Sequence, residues 1–426
     1  MSGEDILVEK IKHVFDSKRM ASLIDDFARI GADERGGVTR LAFSPEDLEA
    51  RRAFIDIVES ELNLAVRMDP VGNLFARRAG KHPGKPVIMA GSHLDSVRNG
   101  GKFDGPAGVF CALEAFRALD RLGIETQHPL ELVVFCSEEP NPFGISTFGS
   151  RGMAGKLDKS QLESLTDEFG KDFRSALEFL GGSLDRLQEA RVDPDSIAYL
   201  VELHIEQMPY LERQRRDIGV VAGVTGIHRE RLRLEGEASH CGTTPMNARR
   251  DALCAASQLV LAIEAAAAKE DGKAVATVGR MSVFPNSLNI TPAQVEMDVE
   301  IRSYFSESIE RIKEDIGETC RTIDKERSVK IQRSVLYQTP ATPFSPTVRE
   351  TISAAAKSLG LSTLEEISMA GHDAAHMATI TDAGMIFIPC RGGISHCPQE
   401  YTDTANLLKG AQTLLLTLLM LDRKGA

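Results

Sequence analysis

The chain has 426 residues, more than the roughly 250 to 300 at which a single core stops growing, so at least two domains are expected. Its 42% hydrophobic and 26% charged residues exclude a disordered chain and a membrane-embedded one. A net charge of -12 excludes nonspecific nucleic-acid binding, which needs clustered Lys and Arg, and promotes solubility.

At the N-terminus, MSGEDILVEK is charged from its fourth residue and lacks the apolar stretch of a signal peptide. Seven cysteines are scattered without a CxxC pair, as suits reduced thiols, so a cytoplasmic location is expected. A short apolar run at 86–90 is predicted as the first buried strand, followed directly by Gly91-Ser-His93-Leu-Asp95. In an open α/β sheet, ligands bind beyond the carboxyl ends of strands, which is where His93 falls. A lone HxD is weak, because a histidine there can equally be a satisfied structural residue. Next, 100–108 reads GGKFDGPAG, with Asp104 among glycines just before a helix predicted over 105–122, where Pro106 suits the first turn and Gly123 the stop. Asp104 can be an ordinary N-cap or a carboxylate shared by two cations.

The second strand, 130–135, ends in Ser137-Glu138-Glu139-Pro140. Adjacent side chains on extended backbone point apart, so one acid can ligate a metal while the other faces substrate. A third strand at 198–203 leads into Glu202-Leu-His204-Ile-Glu206-Gln207. From 218 to 332 the pattern changes to strand, long Ala-rich helix (247–269), two strands (275–284, 294–302), helix (306–325) and strand (329–335), the order of a ferredoxin-like α+β domain. The larger domain, 1–217 with 333–426, resumes with a helix at 345–359.

In GHDAAHM, His372 and His376 are spaced for a metal pair on a helix. That reading is set aside, because a zincin needs Glu directly after the first His and Asp373 is too short a base. The fourth strand, 385–389, precedes Gly393-Ile-Ser-His396-Cys-Pro-Gln-Glu400. The last apolar tract, 414–421, is well short of the roughly 20 residues that span a bilayer, and reads as a helix buried against the core. His13, His82, His128 and His228 have no ligand-like company. Alternating strands and helices imply an open, mostly parallel sheet. Separate strand ends then deliver His93, Glu138, Glu139, His204 and His396 to one edge, a constellation stronger than any of its parts.

Together GSHLDS, GGKFDGPAG, SEEPNPFG, ELHIEQ, SHCGTTPM, NSLNITP, GHDA and GISHCPQE resemble the hydantoinase/carbamoylase family of amidases, within the zinc aminoacylase and carboxypeptidase clan. The likeness runs from about residue 20 to the C-terminus, in the family's order. It implies that Asp104 bridges two metals, with His93 and His204 completing one site and Glu139 and His396 the other. It further implies Glu138 as general base, Asp95 as support for His93, and a cis peptide between Asp104 and Gly105. Gln207, Asn289 and Arg302 would bind substrate, the last two through its carboxylate. The inserted domain would mediate homodimerisation, with His240 reaching the partner's metal centre. Mixed His and carboxylate ligands suit two zinc ions, with manganese, nickel or cobalt as alternatives.

The chemistry expected is hydrolysis of a terminal ureido C–N bond, first of an N-carbamoyl-L-amino acid to amino acid, carbon dioxide and ammonia. Ureidoglycolate and allantoate present the same ureido group with a carboxylate. SEEPNPFGISTFGS and MIFIPCRGGISHCPQEY look most like plant ureidoglycolate amidohydrolases, whereas SHCGTTPM looks more like carbamoylases and allantoate amidohydrolases. Exopeptidases of the clan generally carry a carboxylate at the place of His204, which disfavours an aminopeptidase. A non-catalytic metal-binding protein would lack the base, and Glu138 is present. Two departures from the family, Pro142 where many relatives have Arg and Met208 where they have Gly, fall at the rim of the expected pocket.

Overall fold

The computed structural model describes residues 3–424, which form two compact units. One runs through Ala222 and resumes at Pro343; the other is Gly223–Thr342. The large unit is built on a nine-stranded sheet whose strands lie in the order Val66–Met68, Leu74–Arg78, Leu130–Phe135, Val87–His93, Ile197–Ile205, Asp382–Ile388 and Ile218–Val224. Thr342–Pro343 and Thr363–Ser368 both pair with the last of these.

Only the centre is parallel: Leu130–Phe135, Val87–His93, Ile197–Ile205 and Asp382–Ile388 run side by side in one direction. The flanks are antiparallel, so the expected mostly parallel sheet is corrected to a mixed one. The physical reason is connection length. Val66–Met68 and Leu74–Arg78 are separated by a tight turn, too short for the crossover that parallel neighbours need.

Central strands covered on both faces must be apolar throughout, and Val87–His93 and Leu130–Phe135 are buried at every residue. The helix Pro106–Leu122 lies against them and packs on the C-terminal helix Thr404–Lys424. By length and composition this last helix could cross a membrane, yet 67% of its apolar window is buried inside the chain. The expected terminal helix therefore extends well beyond 414–421, with Leu414, Leu415 and Leu421 fully enclosed. A second apolar core, built on Phe43, Phe143, Phe148 and Phe173 in edge-on contact, supports the segment after Glu139.

The inserted unit is strand, helix, strand, strand, helix, strand. Its antiparallel sheet has the order Lys330–Thr339, Gly226–Glu235, Gln294–Ser303, Ala274–Phe284. Period-two alternation turns Leu232, Leu234, Val295, Met297, Val299 and Ile301 onto the helices Ala252–Ala268 and Ser306–Arg327. The opposite face carries cross-strand pairs, Arg229 with Glu300 at 2.5 Å and Arg231 with Asp298 at 2.7 Å. Its first helix starts at Ala252 rather than 247, because Asp251 accepts the N–H groups of Leu253 and Cys254 and so caps it there. The unit boundaries fall after 222 and 342 rather than 217 and 332. Ile218–Val224 joins the large sheet before the chain departs, and Lys330–Thr339 is longer than the pattern suggested.

Candidate metal centre

His93 is the last residue of its strand, His204 the penultimate residue of the neighbouring one, and both rings are enclosed. Each Nδ1 faces a backbone carbonyl, His93 that of Asp95 at 3.0 Å and His204 that of Ile205 at 2.9 Å. With Nδ1 holding the proton for that bond, Nε2 presents a lone pair. Both lone pairs converge on one oxygen: Asp104 Oδ1 lies 3.5 Å from His93 Nε2 and 3.1 Å from His204 Nε2. The other oxygen, Oδ2, is 3.4 Å from His396 Nε2, which is itself 3.2 Å from Glu139 Oε1. Two three-residue clusters result, His93/Asp104/His204 and Asp104/Glu139/His396, each with its donor atoms within 4.8 Å of one another. Asp104 belongs to both.

The capping alternative for Asp104 fails, because the helix begins at Pro106 behind Gly105 and takes no side-chain cap. The expected cis peptide between Asp104 and Gly105 is corrected as well. That bond is trans, the sole cis peptide among the described residues being Phe284–Pro285. Gly105 makes the turn through its torsions instead, φ 82° and ψ -61°, a conformation open to glycine. A Cβ at Gly105 would sit 2.4 Å from the His93 ring, so glycine is also what lets the ring lie there.

The Asp95 carboxylate stands 3.7 Å from His93 Nδ1, beyond hydrogen-bond length, and spends its oxygens on the N–H groups of Glu138 (3.2 Å) and Glu139 (3.0 Å). It therefore fixes the backbone that carries the two acids, while its carbonyl orients the imidazole. Glu138 comes within 3.9 Å of His93 Nε2. Gln207 donates from Nε2 to Asp104 Oδ2 at 2.6 Å, placing its amide beside the shared acid. Ser137, Gln207 and His396 all adopt left-handed backbone, with φ of 56°, 56° and 59°, where the chain turns from strand ends into the site.

Three residues outside the expected ligand set stand beside the centre, His372, Glu202 and Asp373. His372 lies with its ring centroid 4.6 Å from that of His204, whereas His376 faces Thr147 (2.9 Å) and Lys156 (3.4 Å). The two histidines have different neighbours and do not form a pair. Glu202, buried two residues before His204, accepts from Ser92 Oγ and from the Ala374 N–H. Its place on the same strand face as His204 was a usable signal, since residues two apart share a face. Asp373 is fully enclosed behind them.

The fit of these residues to divalent cations follows from charge. Asp95, Asp104, Glu138, Glu139, Glu202 and Asp373 are all buried, and buried carboxylates are tolerated only when paired or coordinating metal. Burial raises Glu138 well above the ordinary carboxylate range, and Glu139, Asp373 and Asp95 push the same way against His93. The hydrogen bonds its ring N–H gives to the Asp104 and Glu139 carboxylates push His396 up to about 11. Six buried acids drawn together in this way leave the site short of positive charge. The Nε2 of His93 is buried with no hydrogen-bond partner among the described residues, a lone pair awaiting a ligand.

The Peptidase family M20/M25/M40 model matches residues 89–420, the stretch that contains both clusters. The chain belongs to this family. It is 36% identical over 407 residues to an N-carbamoyl-L-amino-acid amidohydrolase of Paenarthrobacter aurescens, covering 96% of this chain and 98% of that one. It is 34% identical over 412 residues to a ureidoglycolate hydrolase of Oryza sativa subsp. japonica, covering 96% and 85%. Among solved structures, a hydantoinase/carbamoylase family amidase from Burkholderia ambifaria superposes with a TM-score of 0.87 at 32% identity, over 95% of this chain and 97% of that one. Within the M20 family, the chain is therefore a hydrolase of the hydantoinase/carbamoylase amidases, acting on C–N bonds other than peptide bonds.

His240, Asn289 and Arg302 lie in the inserted unit. Ile290 pairs with His240 on a two-stranded ribbon, and the Cys241 N–H donates to the Asn289 carbonyl at 3.1 Å, so His240 and Asn289 are neighbours. His240 is exposed, and its Nδ1 accepts the Gly242 N–H at 3.0 Å. Arg302 projects from Gln294–Ser303, its Nε bonded to Glu300 at 2.7 Å.

Proposed function

We propose that this amidohydrolase cleaves the terminal ureido group of an N-carbamoyl-L-amino acid, releasing the amino acid, carbon dioxide and ammonia. The observation that carries the reading is the pair of clusters sharing Asp104, with Glu138 beside them. His93, Asp104 and His204 would hold one divalent cation and Asp104, Glu139 and His396 a second, zinc being the first choice. Such a pair supplies Lewis acidity toward a ureido carbonyl and a water acidic enough to attack at neutral pH.

The remaining work belongs to side chains. Glu138, oriented through its own N–H by Asp95, takes the proton of the attacking water and returns it to the leaving nitrogen. His240, with Nδ1 occupied as an acceptor, has Nε2–H left to donate to the carbonyl oxygen as charge develops on it. Arg302 offers a planar fork for the substrate carboxylate, joined by Asn289 and Gln207. In this reading the inserted unit joins two copies into a homodimer, and His240 serves the partner's centre. The free cysteines are consistent with a cytoplasmic setting.

A second reading, a ureidoglycolate or allantoate amidohydrolase, is favoured by the run after Glu139 and by the similarity to the rice enzyme. Ammonia release from metal-reconstituted protein, measured on a panel of N-carbamoyl-L- and D-amino acids, ureidoglycolate and allantoate, separates the two. The highest kcat/KM is expected on an N-carbamoyl-L-amino acid. A clear preference for ureidoglycolate or allantoate would transfer the assignment to the second reading, and no release from any of them would end both.

A further inference from the structure

The loop that supplies His396 also supplies a buried acid for which the reading above has no use. Glu400 is 4% exposed, and its carboxylate points into the backbone of the other ligand loop. Its Oε1 accepts the N–H of Phe103 at 2.8 Å and of Asp104 at 3.0 Å. Its Oε2 lies 2.6 Å from Ser395 Oγ, which in turn lies 2.7 Å from Asp104 Oδ2. Glu400 thus holds the main chain of Asp104 directly, and at the side chain Ser395, with one hydroxyl proton to give, stands between the two carboxylates.

The neighbourhood is shaped around this contact. A Cβ on Gly101 would fall 2.1 Å from the Glu400 carboxyl carbon, so the loop carries the one residue that leaves it room. A helix-capping role does not account for Glu400, because the N–H groups it takes precede the helix that starts at Pro106. Bonds to a buried carboxylate are among the strong ones, and here they end on the residue common to both clusters.

We propose that Glu400 is the positioning residue of the shared carboxylate, locking the loop of Asp104 to the loop of His396 so that Oδ1 of Asp104 faces His93 and His204 while Oδ2 faces His396. The proposal rests on the two-cation reading of the site. Partners that orient metal ligands typically contribute about 10- to 100-fold to metal affinity, which sets the scale of the effect. Because Asp104 is shared, the loss should fall on both sites together.

The test is titration of the full-length, metal-free protein with Co2+, following uptake and the visible spectrum, in wild type, Glu400→Ala, Glu400→Gln and Gly101→Ala. Glutamine keeps an oxygen for the two N–H groups and can donate to Ser395. Glu400→Ala is expected to weaken both equivalents by about 10- to 100-fold and to shift the cobalt bands at saturation, and Glu400→Gln to recover most of the affinity and the wild-type spectrum. Gly101→Ala retains the acid but takes its space, so it should mimic Glu400→Ala, and it serves if Glu400→Ala does not fold. Wild-type affinity and spectrum in both Glu400→Ala and Gly101→Ala would overturn the proposal, as would a folded Glu400→Gln no better than Glu400→Ala. A wild type that takes up fewer than two equivalents would instead overturn the two-cation reading, and this proposal with it.

Discussion

Glu138 shows how one residue's chemistry is set by its neighbours. Burial raises its affinity for a proton first, and Glu139, Asp373 and Asp95 add to that, while His93 opposes them. A carboxylate so placed holds a proton readily once it has taken one, which is what a shuttle between water and a leaving nitrogen requires. Glu138 belongs to neither ligand cluster. Glu138→Gln should therefore keep full metal content by elemental analysis yet lose about 10²- to 10⁴-fold in kcat, the usual contribution of a general base. Turnover near the wild-type level would place the base elsewhere. At this scale His93, Glu138, Glu139, His204 and His396 stood out because each lies at or beyond the carboxyl end of a strand, and strand ends point to one edge, whereas Asp104, just ahead of a helix, read equally as a cap. Asp95 was harder, since sequence spacing suggested its carboxylate as His93's partner while the fold uses its carbonyl. His372 and Glu400 stood in motifs that the sequence singled out, but their neighbours there were not readable, because what brings them in is packing between segments far apart in sequence.

Among the elements, the four central strands stand out in the sequence as continuous apolar runs, and their observed bounds differ from the expected ones by a few residues. The flanking strands do not stand out. Val66–Met68 has three residues, too few for any periodicity, and Thr363–Ser368 carries two adjacent glutamates. One of those, Glu366, is buried beside Glu206, and burial first, then the charge of Glu206, pushes it up to about 9 from an ordinary 4.5. Below pH 4.5 both folded and unfolded chains hold this proton and it contributes no pH dependence. Between 4.5 and about 9 the unfolded chain releases it while the folded chain keeps it, so stability falls as pH rises through that window. Glu366→Gln cannot ionise, and its unfolding midpoint should drop less than that of wild type between about pH 5 and pH 9. Parallel declines in urea denaturation at several pH values would show that Glu366 does not titrate in this way.

For the molecule as a whole, the division into two units was legible because a helix-rich α/β pattern gives way to a βαββαβ one and then returns. The compact units divide a few residues further along the chain than the change of pattern, because a strand belonging to the large sheet borders the insertion directly. If His240 serves the centre of a partner, each active site needs two chains. Mixing Glu138→Gln with His240→Ala, each inactive alone, should then restore part of the ammonia-releasing activity once subunits exchange. Verified exchange without recovery would mean that His240 acts within its own chain or not at all.

Where the inserted unit leaves and rejoins the large one, the Phe344 N–H donates to the Ala222 carbonyl at 2.9 Å. Inside the insertion, a Cβ on Gly226 would lie 2.7 Å from the Ala341 nitrogen, so its two ends also meet. A segment that exits and re-enters through one closed gap is, in engineering terms, a cassette. Removing residues 225–341, which spares the strands Ile218–Val224 and Thr342–Pro343, and bridging the gap with a short flexible link should leave the large sheet and every cluster ligand in place. The truncated protein is expected to bind cobalt as the parent does and to release no ammonia, separating in one deletion the capacity to hold metal from the capacity to use it.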